Sequence, residues 1–138
     1  MKRAAPAPVH GYSGKPLFQK IGLKPGMTCL ALNAPASYDA LMAGAEDVAF
    51  RKRAAGGDVV HLFCANRAKL AAAIPGALDK VAPGGALWIS WPKKSSPLHV
   101  DLTEDDLRAT LLPLGWGDVK VCAVDADWSG LKFVRRKT

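Results

Sequence analysis

No stretch of eighteen consecutive apolar residues occurs in the chain, so the sequence offers no transmembrane helix. Residues 1–8 begin basic but hold no apolar core, and a secretory leader is not expected from them. There is no Cys-x-x-Cys pair and no cysteine–histidine spacing of the kind that holds zinc, so neither a metal centre nor a redox pair is implied. Lys15 follows Gly14, yet the rest of a Gly-x-x-x-x-Gly-Lys-Ser/Thr phosphate loop is missing. Ser13, Ser90 and Ser129 all lack a nucleophile-elbow context. Aromatic residues make up only 7%, too few to interleave a basic surface as single-strand binding requires.

What is present describes an ordinary globular domain. The 138 residues are 49% hydrophobic and 22% charged, which suits one domain able to bury its own core. The division expected is a flexible arm over residues 1–10 and a single α/β domain over residues 11–138. The net charge is +7. Five cations lie on the two tails (Lys2, Arg3, Arg135, Arg136 and Lys137), leaving fourteen against twelve acids between them. Residues 1–100 sum to +8 and residues 101–138 to −1. Such asymmetry can attract phosphates or nucleic acid, and it also simply keeps a protein soluble. Cys29, Cys64 and Cys122 each lie in an apolar run, over residues 27–32, 59–64 and 119–124. Three buried, reduced thiols imply the cytoplasm.

Apolar runs separated by turn chemistry set the element order. Pro16 opens a short helix through Leu17, Phe18 and Ile21, stopped near Gly22. The uninterrupted run at 27–32 reads as a strand covered on both faces, which implies a central position in a parallel sheet. Asn33-Ala34-Pro35 breaks it, and a short helix follows at 37–42. Residues 48–50 form a brief strand whose pairing is open. The strand at 59–64 leads into a helix that Asn66 can cap, with Leu70, Ile74, Leu78 and Val81 at helical spacing. Pro83-Gly84-Gly85 then turns the chain into a strand at 86–91. Thr103 caps a helix that starts Glu104-Asp105-Asp106, where carboxylates favour the helix dipole. Runs at 118–124 and 131–134 flank Asp125–Gly130 as a hairpin. The predicted fold is therefore a Rossmann-like three-layer α/β sandwich, mostly parallel, with a C-terminal antiparallel hairpin.

The strand at 59–64, its helix, and Val81-Ala82-Pro83-Gly84-Gly85-Ala86-Leu87-Trp88-Ile89 resemble the segment before the fifth strand of class I S-adenosylmethionine methyltransferases. The terminal hairpin is similar to their antiparallel sixth and seventh strands. The resemblance covers roughly residues 27–135 and implies a shortened version of that fold. Separately, Gly11-Tyr12-Ser13-Gly14-Lys15-Pro16-Leu17, Trp91-Pro92-Lys93-Lys94 and Asp127-Trp128-Ser129-Gly130-Leu131-Lys132 resemble a family of small uncharacterised bacterial proteins. That likeness spans nearly the whole chain and implies no activity.

Three departures bear on the cofactor. Methyltransferases follow their first strand with a glycine-rich turn, but residues 33–37 here are Asn-Ala-Pro-Ala-Ser. Where they end the second strand with an acid for the ribose hydroxyls, Arg51 follows Phe50. Residues 51–57 leave no room for a third strand and its helix. Tight S-adenosylmethionine binding is therefore not expected.

In an open α/β sheet, ligands sit beyond the carboxyl ends of the parallel strands. This places Asn33, Arg51, Asn66, Trp91, Lys93 and Lys94 on one rim. Helix starts at Ala36 and Arg67 add backbone donors, and Trp91 offers a ring for stacking. Taken as a lone pair, Lys93 and Lys94 fit a solvated loop better, and Trp91 beside them is what favours a pocket. His61 reads as a core histidine, and His10 and His99 as loop residues. The expectation is a non-catalytic protein binding a small anionic, nucleotide-like ligand or a protein partner, with no cofactor and no metal. The alternatives are an S-adenosylmethionine-dependent methyltransferase with an atypical cofactor turn, and a nucleic-acid-binding module that uses the basic tails.

Overall fold

The computed structural model of the protein describes residues 15–53 and 56–136. The arm expected at residues 1–10 lies outside the described residues. The elements run α1 (Leu17–Lys20), β1 (Thr28–Leu32), α2 (Tyr38–Leu41), β2 (Ala49–Arg51), β3 (Gly57–Phe63), α3 (Arg67–Asp79), β4 (Val81–Pro92), α4 (Glu104–Leu111), a 3-10 turn (Leu112–Leu114), β5 (Trp116–Ala123) and β6 (Trp128–Arg135). This is the predicted order.

Six strands form one sheet in the order β2-β1-β3-β4-β6-β5. β2, β1, β3 and β4 are parallel, and β6 and β5 complete the sheet antiparallel. The strand at 48–50 thus finds its partner: β2 pairs with β1 and forms an edge, exposed along its three residues. Among the described residues no strand lies beyond it. At the other edge, the chain's last strand is inserted between β4 and β5.

Both faces are covered, giving three layers. On one face, Leu70, Ile74 and Ala77 of α3 and Leu107 and Leu111 of α4 pack on Leu30, Leu62, Ile89 and Phe133 of the sheet. On the other, Leu17 of α1, Ile21 just after it, and Tyr38 and Met42 at α2 pack on Cys29, Val59, Phe63 and Trp88. Asn66 accepts the Lys69 amide at 2.8 Å and so caps α3. Thr103 and Asp106 make a reciprocal capping box on α4.

Two boundaries differ from the sequence reading. Val81 does not extend the face of α3 but begins β4, opposite Gly57. The Pro-Gly-Gly segment is then a bulge within β4 rather than a turn ahead of it. Gly57 pairs with Val81 and Val59 with Ala86, so the intervening residues of β4 loop out. Gly84 sits there at φ +78°, and a Cβ on Gly85 would stand 2.6 Å from the Asp58 carbonyl oxygen. Close strand contact, not only turn geometry, requires glycine at 85. Among the described residues no helix is long and apolar enough to cross a membrane.

Candidate functional site

Because β1 to β4 run parallel, their carboxyl ends share one rim. A cleft of about 550 Å³ opens there, beyond β1 and β2. Its volume lies within the range of small-molecule sites. One wall is the turn at 33–36, with Tyr38 and Asp39 at the start of α2; the other is Phe50, Arg51 and Lys52. Phe50 is 39% exposed, so an apolar ring edge meets solvent in the cleft.

The turn is built on Asn33, whose φ is +59°. This left-handed region is the natural home of glycine, and Asn tolerates it better than most other side chains. The absence of glycine at 33–37 was expected to deny a ligand close approach. Asn33 removes that objection in part by adopting the backbone conformation a glycine would supply.

Behind the wall runs a buried polar string. The Tyr38 hydroxyl lies 2.9 Å from His61 Nδ1, and His61 Nε2 lies 2.7 Å from Ser90 Oγ. Cys29 Sγ is 3.5 Å from the same hydroxyl. His61, Ser90 and Cys29 are fully buried. Burial holds the imidazole neutral, pushing its pKa down to about 3. Burial likewise raises the Tyr38 phenol, and it pushes the Cys29 thiol up to about 11 despite its hydrogen bond with Tyr38. No member of the string is charged near neutrality. His61 is thus a core histidine with both ring nitrogens partnered, and Ser90 has no carboxylate-backed base to activate it.

The structure divides the six rim residues. Asn33 and Arg51 line the cleft. Asn66 spends its side-chain oxygen on the α3 cap. Trp91 is buried in the core under α3 and α4, so its ring does not face the rim. The Lys93 amide donates to the Asp127 carbonyl at 2.8 Å, tying its loop to the hairpin turn; Lys94 is exposed. Neither lysine lines the cleft. The helix start at Arg67 is occupied as well, because its amide donates to Asp101 Oδ1 at 2.9 Å. Tyr38, Asp39, Phe50 and Lys52 were not singled out by sequence. The available signal was positional: the turn after the first strand and the first residues of the next helix face the rim in any open α/β sheet. Among the described residues no cluster of three or more metal-ligating side chains occurs.

No protein-family model matches the chain, and no curated protein sequence is significantly similar to it. Solved structures are similar in shape. An S-adenosylmethionine-dependent methyltransferase from Aquifex aeolicus matches with a TM-score of 0.57 at 16% identity, over 85% of this chain and 86% of that one. The glycopeptide N-methyltransferase MtfA matches with a TM-score of 0.57 at 11% identity, over 86% and 87%. DhpI, solved with S-adenosylhomocysteine, matches with a TM-score of 0.54 at 15% identity, over 80% and 78%. The fold is that of the class I methyltransferases.

These neighbours correct two expectations. The main reading, a non-catalytic binder, is overturned: solved neighbours of the same fold are methyltransferases, which backs the methyltransferase alternative better. The expectation that S-adenosylmethionine is an improbable ligand is overturned too. Solved neighbours carry that cofactor or its demethylated product. Of the three departures, the glycine-free turn is the one that loses force, because Asn33 takes the left-handed backbone without a glycine.

Proposed function

We propose that the protein binds S-adenosylmethionine in the cleft beyond β1 and β2 and acts as a methyltransferase. The observation that carries this reading is the coincidence of an open cleft with a left-handed turn directly after the first strand, at Asn33. Asp39 is the carboxylate of the cleft and would accept the ribose hydroxyls, replacing the acid that Arg51 displaces at the end of β2. Phe50 offers an apolar surface for the adenine ring. Arg51 suits the carboxylate of the cofactor's amino-acid end. Bound there, the cofactor supplies an electrophilic methyl group on a sulfonium. The likeness to solved methyltransferases supports the reading at the level of fold, and the cleft residues support it at the level of chemistry.

Titration calorimetry with S-adenosylhomocysteine tests it. The expected dissociation constant is about 10 μM, corresponding to roughly 7 kcal/mol. Absence of heat together with an unchanged melting temperature at a ligand concentration of about 1 mM overturns the reading.

A further inference from the structure

The Cys29–Tyr38–His61–Ser90 string joins four elements through three contacts: β1, the start of α2, β3 and β4. It lies in a layer otherwise built of Leu17, Ile21, Val59, Phe63 and Trp88. Apolar side chains of similar volume would fill that space without desolvating hydroxyls and an imidazole. Filling the core therefore does not account for it.

Its geometry points at the cleft wall. α2 has four residues and no side-chain cap, so it has little capacity to hold itself. Tyr38 is its first residue and lines the cleft. The ring is met edge-on by Phe50, His61 and Phe63, with centroids 6.3, 5.4 and 5.6 Å away. Such aromatic contacts leave rotation and depth loosely set, whereas a hydrogen bond to a fixed imidazole sets both. His61 is fixed in turn by Ser90, two residues before the end of β4 and opposite Gly130. A Cβ at Gly130 would stand 3.4 Å from Ser90 Oγ and 3.3 Å from the Trp88 ring, so a larger residue there would crowd both.

We propose that His61 and Ser90 are positioning residues for the cofactor cleft: through Tyr38 they set the depth and orientation of the wall at residues 33–39. This inference rests on the cofactor reading for its ligand. The string touches no reacting atom in it. Its neutrality across the physiological range suits a fixed strut rather than a proton carrier.

The test uses the full chain, with Tyr38→Phe and Ser90→Ala as probes and Ile74→Val, in the opposite layer, as a control. Backbone amide spectra are recorded without ligand, and S-adenosylhomocysteine affinity is measured by calorimetry. If the string sets the wall, Ser90→Ala shifts the amides of residues 33–39, although the substitution lies on a different strand. Both probes weaken S-adenosylhomocysteine about tenfold, while Ile74→Val lowers the melting temperature and leaves affinity within twofold. A string that only stabilises the fold gives probes that melt earlier but bind like the wild type, with the 33–39 amides unmoved; that result overturns the proposal. Failure of the wild type to bind overturns the cofactor reading and the cleft's role with it, while the amide shifts still decide whether the string holds the wall.

Discussion

The two faces of the sheet are built differently. One carries α3 and α4, thirteen and eight residues long, each closed by a side-chain cap. Ion pairs cross that side: Arg67 to Asp106 at 3.1 Å, and Arg108 to Asp118 at 2.9 Å and to Glu104. Its helices lay Leu70, Ile74, Leu107 and Leu111 on apolar side chains of the sheet. The other face carries α1 and α2, four residues each and without side-chain cap bonds. There the core contains a hydrogen-bonded string, and the cleft opens at its margin. Long capped helices over apolar surface provide stability. Short helices leave the strand ends uncovered, and ligand access needs that opening.

The largest expected effect tests whether the faces are separable. Leu107 is fully buried against the sheet. Leu107→Ala should cost about 3 kcal/mol in urea unfolding, with S-adenosylhomocysteine affinity unchanged. A parallel loss of affinity would show that the helical face also shapes the cleft.

The next effect belongs to the cleft face alone. His61 titrates at about 3 when folded, against about 6.5 in an unfolded chain. Below pH 6.5 the unfolded chain therefore binds a proton that the folded chain refuses. Stability should fall as pH drops, becoming roughly 2 kcal/mol lower at pH 4.5 than at pH 6.5. On the other face, Arg67 and Arg108 hold the Asp106 and Asp118 carboxyls below their ordinary range. Their stabilisation is present above that range and is lost only at more acidic pH. Urea unfolding across this window in wild type and His61→Gln is the measurement, and an unchanged slope in the variant would remove His61 as the cause.

Asn33 gives a smaller, sign-specific effect. Asn33→Gly should change stability by no more than about 0.5 kcal/mol, whereas Asn33→Ala should cost about 1 kcal/mol because of the positive φ. Equal effects would mean the turn relaxes out of its left-handed form. The smallest response is expected at Arg67, whose pair with Asp106 is largely solvated. Arg67→Ala should leave the melting temperature unchanged in high salt. A clear salt-independent drop would mark that pair as a true fastening of the helical face.

Much of the architecture was legible in the chain. The apolar runs at 27–32 and 59–64 require cover on both faces, which only central strands provide. Asn66 and Thr103 announce helix starts because their side chains accept the amides that the helix leaves unpaired. The rim was less legible for a related reason. In 86–91 every residue is apolar or small, so alternation could not tell which side each faces. The register then sends Trp88 and Ser90 to the cleft face and Trp91 into the core under α3 and α4.

The sequence by itself thus determined the order of strands and helices, the capped ends and the parallel centre, because each follows from burial and from hydrogen bonds that close locally. Tertiary structure alone decided three things. It inserted β6 between β4 and β5, since a hairpin pattern is the same whichever of its strands meets the sheet. It turned Pro-Gly-Gly into a bulge, because the clash at Gly85 involves the Asp58 carbonyl on a neighbouring strand. And it gathered Cys29, Tyr38, His61 and Ser90 behind one wall of the cleft. Those residues are scattered along the chain, and only the pairing of β1, β3 and β4 brings their polar atoms within reach of one another.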